Sequence, residues 1–443
     1  MKKLILILTL LITLVFNSAC VPEETPIMID PPSPDSDPSV ASGYVQSSLA
    51  RETEPQVNQA DLTSLVNGNS DFGFVFYEQI RKKEGNIIFS PFSLSLALSM
   101  TLVGAESSTE QGMLQALQFP LPTEDINTAF NALLLNIEAS EDNLYRDSEG
   151  DKFQLNIANS TWGQSGYAFK NEFLDRIAQN YGAGIYNVDY ITDPEFARNA
   201  INGWVEEETE EKIQDLIPEG AINSLTRLVL ANAIYFYGSW YHPFSDSDTS
   251  GEPFILLDGS EISVDMMRLN GENLVYTRGE KFQAVDLPYL STDFAMTILL
   301  PNEGKFTEFE SEIDRQSLAT ILESMHSQPV NLQMPKFDFI TDVDAKEPLI
   351  NMGMAEAFDM DHADFSGITE EDTLFITDVL HKAAISVDET GTEAAAATAV
   401  IIALKGMPGD PISMTTDRPF LFFIRHIPTE TILFMGRVSN PNS

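Results

Sequence analysis

Residues 388–406 read "DETGTEAAAATAVIIALKG", and this stretch constrains the fold more than any other. No charge appears between Glu393 and Lys405, and no proline occurs until Pro408, although the chain contains 24 prolines. Alanine is the best helix former, yet a helix of this composition is apolar on every side and would have to be deeply buried. The segment is instead bounded like a loop, by Gly391 on one side and "GMPGDP" on the other. As a strand it has an orderly pattern. Thr392, Ala394, Ala396, Thr398, Val400, Ile402 and Leu404 share one uncharged face that is small at its first four positions, with Glu393 and Lys405 on the other. Proline would cost a central strand a ladder hydrogen bond, and none is present. The segment has the bounds of an exposed loop and the composition of a central strand, which makes it a loop able to become a strand.

The surrounding chain is large enough to receive one. Of 443 residues, 43% are hydrophobic and 28 are Phe, so a sizeable core is expected. The 67 acids against 25 Lys and Arg give a net charge of −42. Such a surface repels phosphate backbones, which argues against nucleic-acid binding, and draws in basic partners; adaptation to salt explains the same excess equally well.

Lys2 and Lys3 precede the apolar run 4–16, too short to span a bilayer comfortably but suited to a signal peptide. Asn17, Ser18 and Ala19 then lead to Cys20, the only cysteine. Small residues before a lone cysteine resemble a bacterial lipoprotein cleavage site, which implies that Cys20 becomes the lipid-bearing first residue. Asn17 departs from the aliphatic residue usual there, and ordinary signal cleavage is the alternative. Both make the protein exported, at the cell surface or periplasmic face, and the body can hold neither an internal disulfide nor a cysteine nucleophile. Residues 21–60 are acidic and proline-rich and read as a disordered tether. The expected organisation is a signal peptide over 1–20, the tether over 21–60, and one domain over 61–443.

Within that domain, Phe72, Val75, Phe76 and Ile80 fall on one helical face. In "NIIFSPFSLSLALSM", Ser90 is placed to cap a helix with Pro91 at its first position, and the helix is almost wholly apolar. Ala197, Ile201, Trp204 and Val205 mark a second amphipathic helix, "RLVLANAIYFYG" a central strand, and "FLFFIRH" with "ILFMGRV" a hairpin. Helices and strands mix without a βαβ rhythm, so the class is α+β. Two βαβ lobes around a cleft, expected of a tethered solute-binding protein, are not legible.

Enzyme signatures are missing: no H-E-x-x-H, no phosphate-binding G-x-x-x-x-G-K-[ST], no G-x-S-x-G. "GQSGY" at Gly163 is a near miss. "DMDHAD" at 359–364 and the acidic run from Glu141 to Asp151 lack the glycine and terminal glutamate of a calcium loop and read as solvated turns. No cofactor and no metal are expected.

The alanine-rich stretch resembles the hinge of a serpin reactive loop, and the resemblance extends from about Asp61 to Pro441. "NIIFSPFSLSLALSMTLVGAESSTEQ", "LNIANSTWGQ", "INGWVEEETEEKI", "TRLVLANAIYFYGSWYHPF", "VDLPYLSTDFAMTILLP", "MPKFDF", "MGMAEAFDMDHADFSGI", "VLHKAAISVDETGTEAAAATAV", "DRPFLFFIRH" and "ILFMGRVSNP" follow in family order. The resemblance implies a serpin fold with three β-sheets, about nine helices and an exposed reactive loop near the C-terminus. It implies a monomeric suicide inhibitor that a serine protease attacks. The cleaved loop then inserts as a strand of the large sheet and traps the protease as a covalent acyl-enzyme. The 14 residues from Thr392 to Lys405 would span about 46 Å as a strand.

By the same resemblance, the hinge comprises Glu389, Gly391, Thr392, Ala394, Ala395, Ala396, Ala397 and Thr398. The attacked bond joins Lys405 to Gly406 and suits a trypsin-like pocket; Leu404 or Met407 would instead imply a chymotrypsin- or elastase-like target. Ser90, Ser93, Asn232 and His381 match a polar cluster beneath the point where the sheet parts. A satisfied core histidine is the plainer reading of His381. Trp240 and Glu389 match positions where insertion begins, and Thr390 departs from the charged residue often found there, at a turn expected to face solvent. The alternatives are a non-inhibitory carrier or chaperone of the same fold, and an inhibitor of subtilisin-like or cysteine proteases.

Overall fold

The computed structural model describes residues 43–141, 143–145, 153–370, 374–392 and 410–443. Among them the strands form two hydrogen-bonded sheets, flanked by nine α-helical segments. The seven-stranded sheet runs in the order Tyr44–Val45, Ile185–Val188, Phe153–Gln164, Leu228–Ser239, Gly391–Thr392, Asp378–Val387, Phe337–Asp344. The nine-stranded sheet has two portions that share the 18-residue strand Glu261–Arg278. One portion holds Ser250–Ile255, His326–Pro335 and Ile412–Thr415; the other runs through Phe282–Pro288, Phe294–Pro301, Phe420–His426 and Thr431–Val438 to Ile87–Phe89. The three expected sheets are thus present as one sheet and two portions of another.

The central strand Leu228–Ser239 is buried at all twelve positions, as its unbroken apolar sequence requires. Its two faces serve different cores. Leu228, Leu230, Ile234 and Phe236 join the main core between the sheets, whereas Val229, Ala231 and Ala233 pack with Trp162, Ile201 and Val205 beneath the helix Pro194–Glu208. Asn232 lies on the main-core side, between Leu230 and Ile234, where a polar side chain is costly unless bonded.

The helix Pro91–Leu102 is buried at every position. It starts as its sequence dictates: Ser90 is extended (φ −109°, ψ 104°), its Oγ accepts from Ser93 N–H at 3.0 Å, and Pro91 follows. In the helix Gln59–Ile80, Phe72 and Phe76 are fully buried, but Val75 is 37% exposed. Phe74 and Tyr77 take the place expected of Val75, so the apolar stripe is rotated slightly from the one the sequence suggested.

The folded body begins before residue 61, which corrects the tether boundary. Tyr44–Val45 pairs antiparallel with Ile185–Val188 as the sheet's edge strand, and the Tyr44 ring lies 4.7 Å from that of Tyr186. Arg51 donates to Asn131 Oδ1 (2.8 Å) and Glu138 Oε1 (2.7 Å), and Asn131 donates to the Glu52 carbonyl (2.7 Å). A Cβ on Gly184 would stand 2.6 Å from the Val45 carbonyl oxygen, so glycine there admits the edge strand. The prolines and acids of 21–60 hid these few contacts. Of that span, residues 21–42, and with them Cys20, lie outside the described residues.

Candidate functional site

Leu228–Ser239 and Asp378–Val387 pair directly, in parallel, over Val229–Ile234 and Asp378–Ala383. Toward the Ser239 end they are prised apart by Gly391–Thr392, whose rungs are Gly391 with Ser239, Thr392 with Gly238, and Thr392 with Val387. The position expected as the hinge, Gly391, is thus paired together with Thr392 between two strands that pair with each other directly below. A Cβ on Gly391 would meet the Gly238 carbonyl oxygen at 2.2 Å and Ser239 Cα at 2.8 Å, so only glycine fits this approach.

Side chains around this wedge hold it in place. Trp240 donates its backbone N–H to the Thr390 carbonyl (2.9 Å) and its indole N–H to the Asp388 carbonyl (3.0 Å). Tyr289 stacks on Trp240 at 4.7 Å and shares a 2.8 Å hydrogen bond with Thr392 Oγ1. The buried Glu389 carboxylate pairs with Lys336 Nζ (2.7 Å) and accepts from Thr249 Oγ1 (2.6 Å). Burial pushes the Glu389 carboxyl up, but the bonds from Lys336 and Thr249 outweigh it and leave the group below its ordinary value, hence ionised. Thr390 is half-buried rather than solvent-facing, because its N–H and hydroxyl both turn back onto Asp388 Oδ1 at 2.8 and 2.7 Å.

Beneath the zipped seam, Ser90, Ser93, Asn232 and His381 come together as expected. Ser90 N–H donates to His381 Nε2 (3.0 Å), and His381 Nδ1 bonds Asn232 Oδ1. Asn232 Nδ2 donates to Ser93 Oγ (2.7 Å) and to Asn159 Oδ1, and Ser90 Oγ donates to the Leu433 carbonyl (2.6 Å). Because Nε2 accepts, the imidazole is neutral with its proton on Nδ1. Burial agrees, pushing the His381 pKa down to about 3. His381 and Asn232 are opposite each other across the seam, so the network bridges the two strands.

Asn159 completes this network and was not among the residues the sequence singled out. It lies directly opposite Asn232 in the ladder between Phe153–Gln164 and Leu228–Ser239, and bonds Ser93 Oγ at 3.2 Å. An asparagine in the middle of "LNIANSTWGQ" was the available signal. Lys336, Thr249 and Tyr289 were also missed, since only the fold brings them to Glu389 and Thr392. Ala394, Ala395, Ala396, Ala397, Thr398, Lys405 and Gly406, with Leu404 and Met407, lie outside the described residues.

Among the described residues no three acidic, histidine or cysteine side chains could hold a metal ion. The "DMDHAD" turn is an exposed local cluster in which Asp359 pairs with His362 at 3.0 Å. His381, the best-placed base, is neutral, fully engaged and walled off from solvent. What the arrangement does is hold two residues of a third strand between two strands that pair directly below them.

The model of the family "Serpin (serine protease inhibitor)" matches residues 67–441. An uncharacterised serpin-like protein of Thermococcus kodakarensis is 36% identical over 444 residues, covering 100% of this chain and 99% of the relative. The leukocyte elastase inhibitor of Sus scrofa is 37% identical over 390 residues, covering 86% of this chain and 100% of its own. Among solved structures, the native state of the thermophilic serpin tengpin superposes with a TM-score of 0.77 at 26% identity, covering 90% of this chain and 99% of that one.

Proposed function

The chain belongs to the serpin family, and on that premise we propose that it inhibits serine endopeptidases as a suicide substrate. The observation that carries this reading is the wedge: Gly391 and Thr392 already occupy the first rungs of a strand whose remaining length would run between Leu228–Ser239 and Asp378–Val387. The sequence that follows Thr392 is free of proline as far as Pro408 and uncharged from Ala394 to Leu404, so every position can join a central strand. A protease whose serine attacks the Lys405–Gly406 bond is acylated on that serine by the Lys405 carbonyl, and the chain from Gly406 leaves as a free amine. Insertion then competes with deacylation, and a displacement of about 1 Å in the protease's catalytic groups is enough to slow hydrolysis on the order of 10²-fold. Lys405 fits a trypsin-like pocket with an acidic floor. We further propose that the protein is exported and held to a membrane through a lipid on Cys20, and that it acts as a monomer.

The test mixes the soluble chain with trypsin and separates the products under denaturing conditions. A boil-resistant band at the summed mass, with a released peptide beginning at Gly406, is the expected result. Cleavage at that bond without a covalent complex would overturn the inhibitory reading in favour of a non-inhibitory member of the family. A released peptide beginning at Lys405 or Pro408 would move the attacked residue to Leu404 or Met407 and the target to a chymotrypsin- or elastase-like enzyme, the class named in the Sus scrofa relative.

A further inference from the structure

The surface beside the base of the loop carries an aromatic platform that the wedge does not use. Trp240 N–H donates to the Thr390 carbonyl (2.9 Å) and Phe244 N–H to the Glu389 carbonyl (2.8 Å), so residues 241–243 are pinned at both ends to the residues that precede Gly391. Tyr241 N–H also donates to the Pro288 carbonyl at 3.0 Å. From this pinned stretch the Tyr241 ring meets the Tyr145 ring at 4.5 Å and stands edge-on to the His242 ring at 4.5 Å. Tyr145 is held by its own N–H on the Leu290 carbonyl (3.1 Å), yet it is 67% exposed, the most of the large apolar side chains among the described residues. A tyrosine fixed at its backbone and open to solvent loses little freedom when a partner covers it.

Two carboxylates adjoin the platform. Glu272 Oε2 lies 3.3 Å from His242 Nδ1, and Asp293 Oδ2 accepts from Asn143 Nδ2 at 3.2 Å, two residues before Tyr145. The cations nearby are engaged elsewhere: Lys336 pairs with Glu389 at 2.7 Å, and Arg268, four residues before Glu272, pairs with Glu252 at 2.6 Å. Tyrosine rings edged by carboxylates suit one kind of incoming group, the guanidinium or ammonium of an Arg or Lys. A ring face attracts the cation and a carboxylate pairs with it.

We propose that Tyr145, Tyr241 and Glu272 form a second contact surface for the target protease, receiving an Arg or Lys side chain that projects from the protease while the loop is attacked. This deepens the inhibitory reading and rests on it, adding a preference for a basic protease surface to the preference set at the attacked bond. The contact is made in the encounter complex, before acylation. It therefore acts on the rate of association and leaves untouched the later contest between insertion and deacylation. Long-range attraction from the net charge of −42 draws in any cationic partner. Removing the uncharged Tyr145 ring leaves that attraction as it was and isolates the short-range contact.

The test measures association rates of the full chain, at physiological salt, with two trypsins of the same primary specificity, one cationic and one anionic. Tyr145→Ala is expected to slow association with the cationic trypsin about threefold, the size of one exposed cation–π contact, and to leave the anionic trypsin unaffected. Tyr145→Phe keeps the ring face and should keep the native rate. Glu272→Gln should slow the cationic trypsin more than Glu219→Gln does, Glu219 being an exposed acid in the turn ahead of Leu228, at the end of the central strand remote from Gly391. The number of inhibitor molecules consumed per protease should stay at the native value throughout. Equal slowing of both trypsins by Tyr145→Ala, or of neither, overturns the proposal, as does a Glu272→Gln effect no larger than that of Glu219→Gln. A raised consumption at an unchanged rate overturns it too, by assigning Tyr145 to the wedge instead of the protease. A native chain that forms no covalent complex with either trypsin overturns the inhibitory reading itself.

Discussion

At the scale of the residue, the most exacting position is Gly391. Its backbone approaches Gly238 so closely that a β-carbon would overlap the carbonyl oxygen. In Gly391→Val the wedge must back out of its first rungs, and insertion starts from a worse position while deacylation of the protease is untouched. A slowing of about tenfold, or about 1.4 kcal/mol in the barrier, shifts the outcome from trapping to turnover. The expected result is a yield of covalent complex lower by on the order of tenfold with cleavage at an unchanged bond, read by densitometry of denaturing gels. An unchanged yield would mean that the first rungs do not govern insertion. His381 makes a second, independent prediction. Burial holds its folded pKa at about 3 against an ordinary 6.5, so the unfolded chain binds the extra proton first as pH falls. Its contribution to stability is intact above pH 6.5 and is lost progressively toward pH 3, by on the order of 1 kcal/mol at pH 5.5. His426, pushed by burial down to about 4, acts in the same direction, while the many carboxylates shed repulsion on acidification. The difference between chains isolates His381: melting temperature should fall further from pH 7.5 to 5.5 in the native chain than in His381→Gln. Equal falls would show that the imidazole is not held neutral. Ser90, Ser93, Asn232 and His381 were legible because each carries a recognisable local sequence, whereas Asn159 was not, because its role comes from a cross-strand partner 73 residues away.

At the scale of the element, the sequence was most legible where one local rule decides. Ser90 and Pro91 start a helix in any surroundings, and the unbroken apolar run of Leu228–Ser239 can only be a strand buried on both faces. Legibility failed at Gly43–Asn58, where composition suggested disorder and a handful of specific contacts decide otherwise. That failure yields a prediction. A truncated chain beginning at Gln59 loses the Tyr44–Tyr186 ring contact and the Arg51 bonds to Asn131 and Glu138, and leaves the buried Asn131 amide without its partner at Glu52. An aromatic pair is worth about 1 kcal/mol and charge-assisted hydrogen bonds about 2, so the loss should be on the order of 3 kcal/mol. Equilibrium unfolding in urea, comparing chains that begin at Gly43 and at Gln59, should show the shorter one unfolding at clearly lower concentration. Coincident curves would return residues 43–58 to the status of a tether.

At the scale of the whole molecule, the sheet is incomplete in a particular sense. Leu228–Ser239 and Asp378–Val387 pair in parallel for six residues and are separated by only two rungs of Gly391–Thr392 above them. Parallel pairing is slightly weaker per residue than antiparallel pairing, and the inserted strand would replace this one parallel seam by two antiparallel ones. The polar network of Ser90, Ser93, Asn159, Asn232 and His381 bridges the seam with bonds that can be re-made to a new strand, so opening need not leave a buried polar group bare. On the inhibitory reading proposed above, what would keep the intact chain from completing the sheet is covalent: Ile412–Thr415, a few residues beyond the loop, is paired with Val330–Gln333 in the other sheet. Cutting the loop removes that restraint. A chain nicked between Thr398 and Pro408 by a protease it does not trap should therefore become more stable than the intact one, the opposite of what a nick does to an ordinary surface loop. Calorimetry on intact and nicked protein should show the transition moving clearly up if the new strand pairs along most of its length, since each residue of a central strand adds ladder bonds and buries its side chains on both faces. Nicking at Gly85, in the turn before the Ile87–Phe89 strand, serves as the control and should lower the transition. A nicked loop that leaves the transition where it was would mean that the sheet is already at its resting width, and that the two rungs at Gly391 and Thr392 are a structural end rather than a beginning.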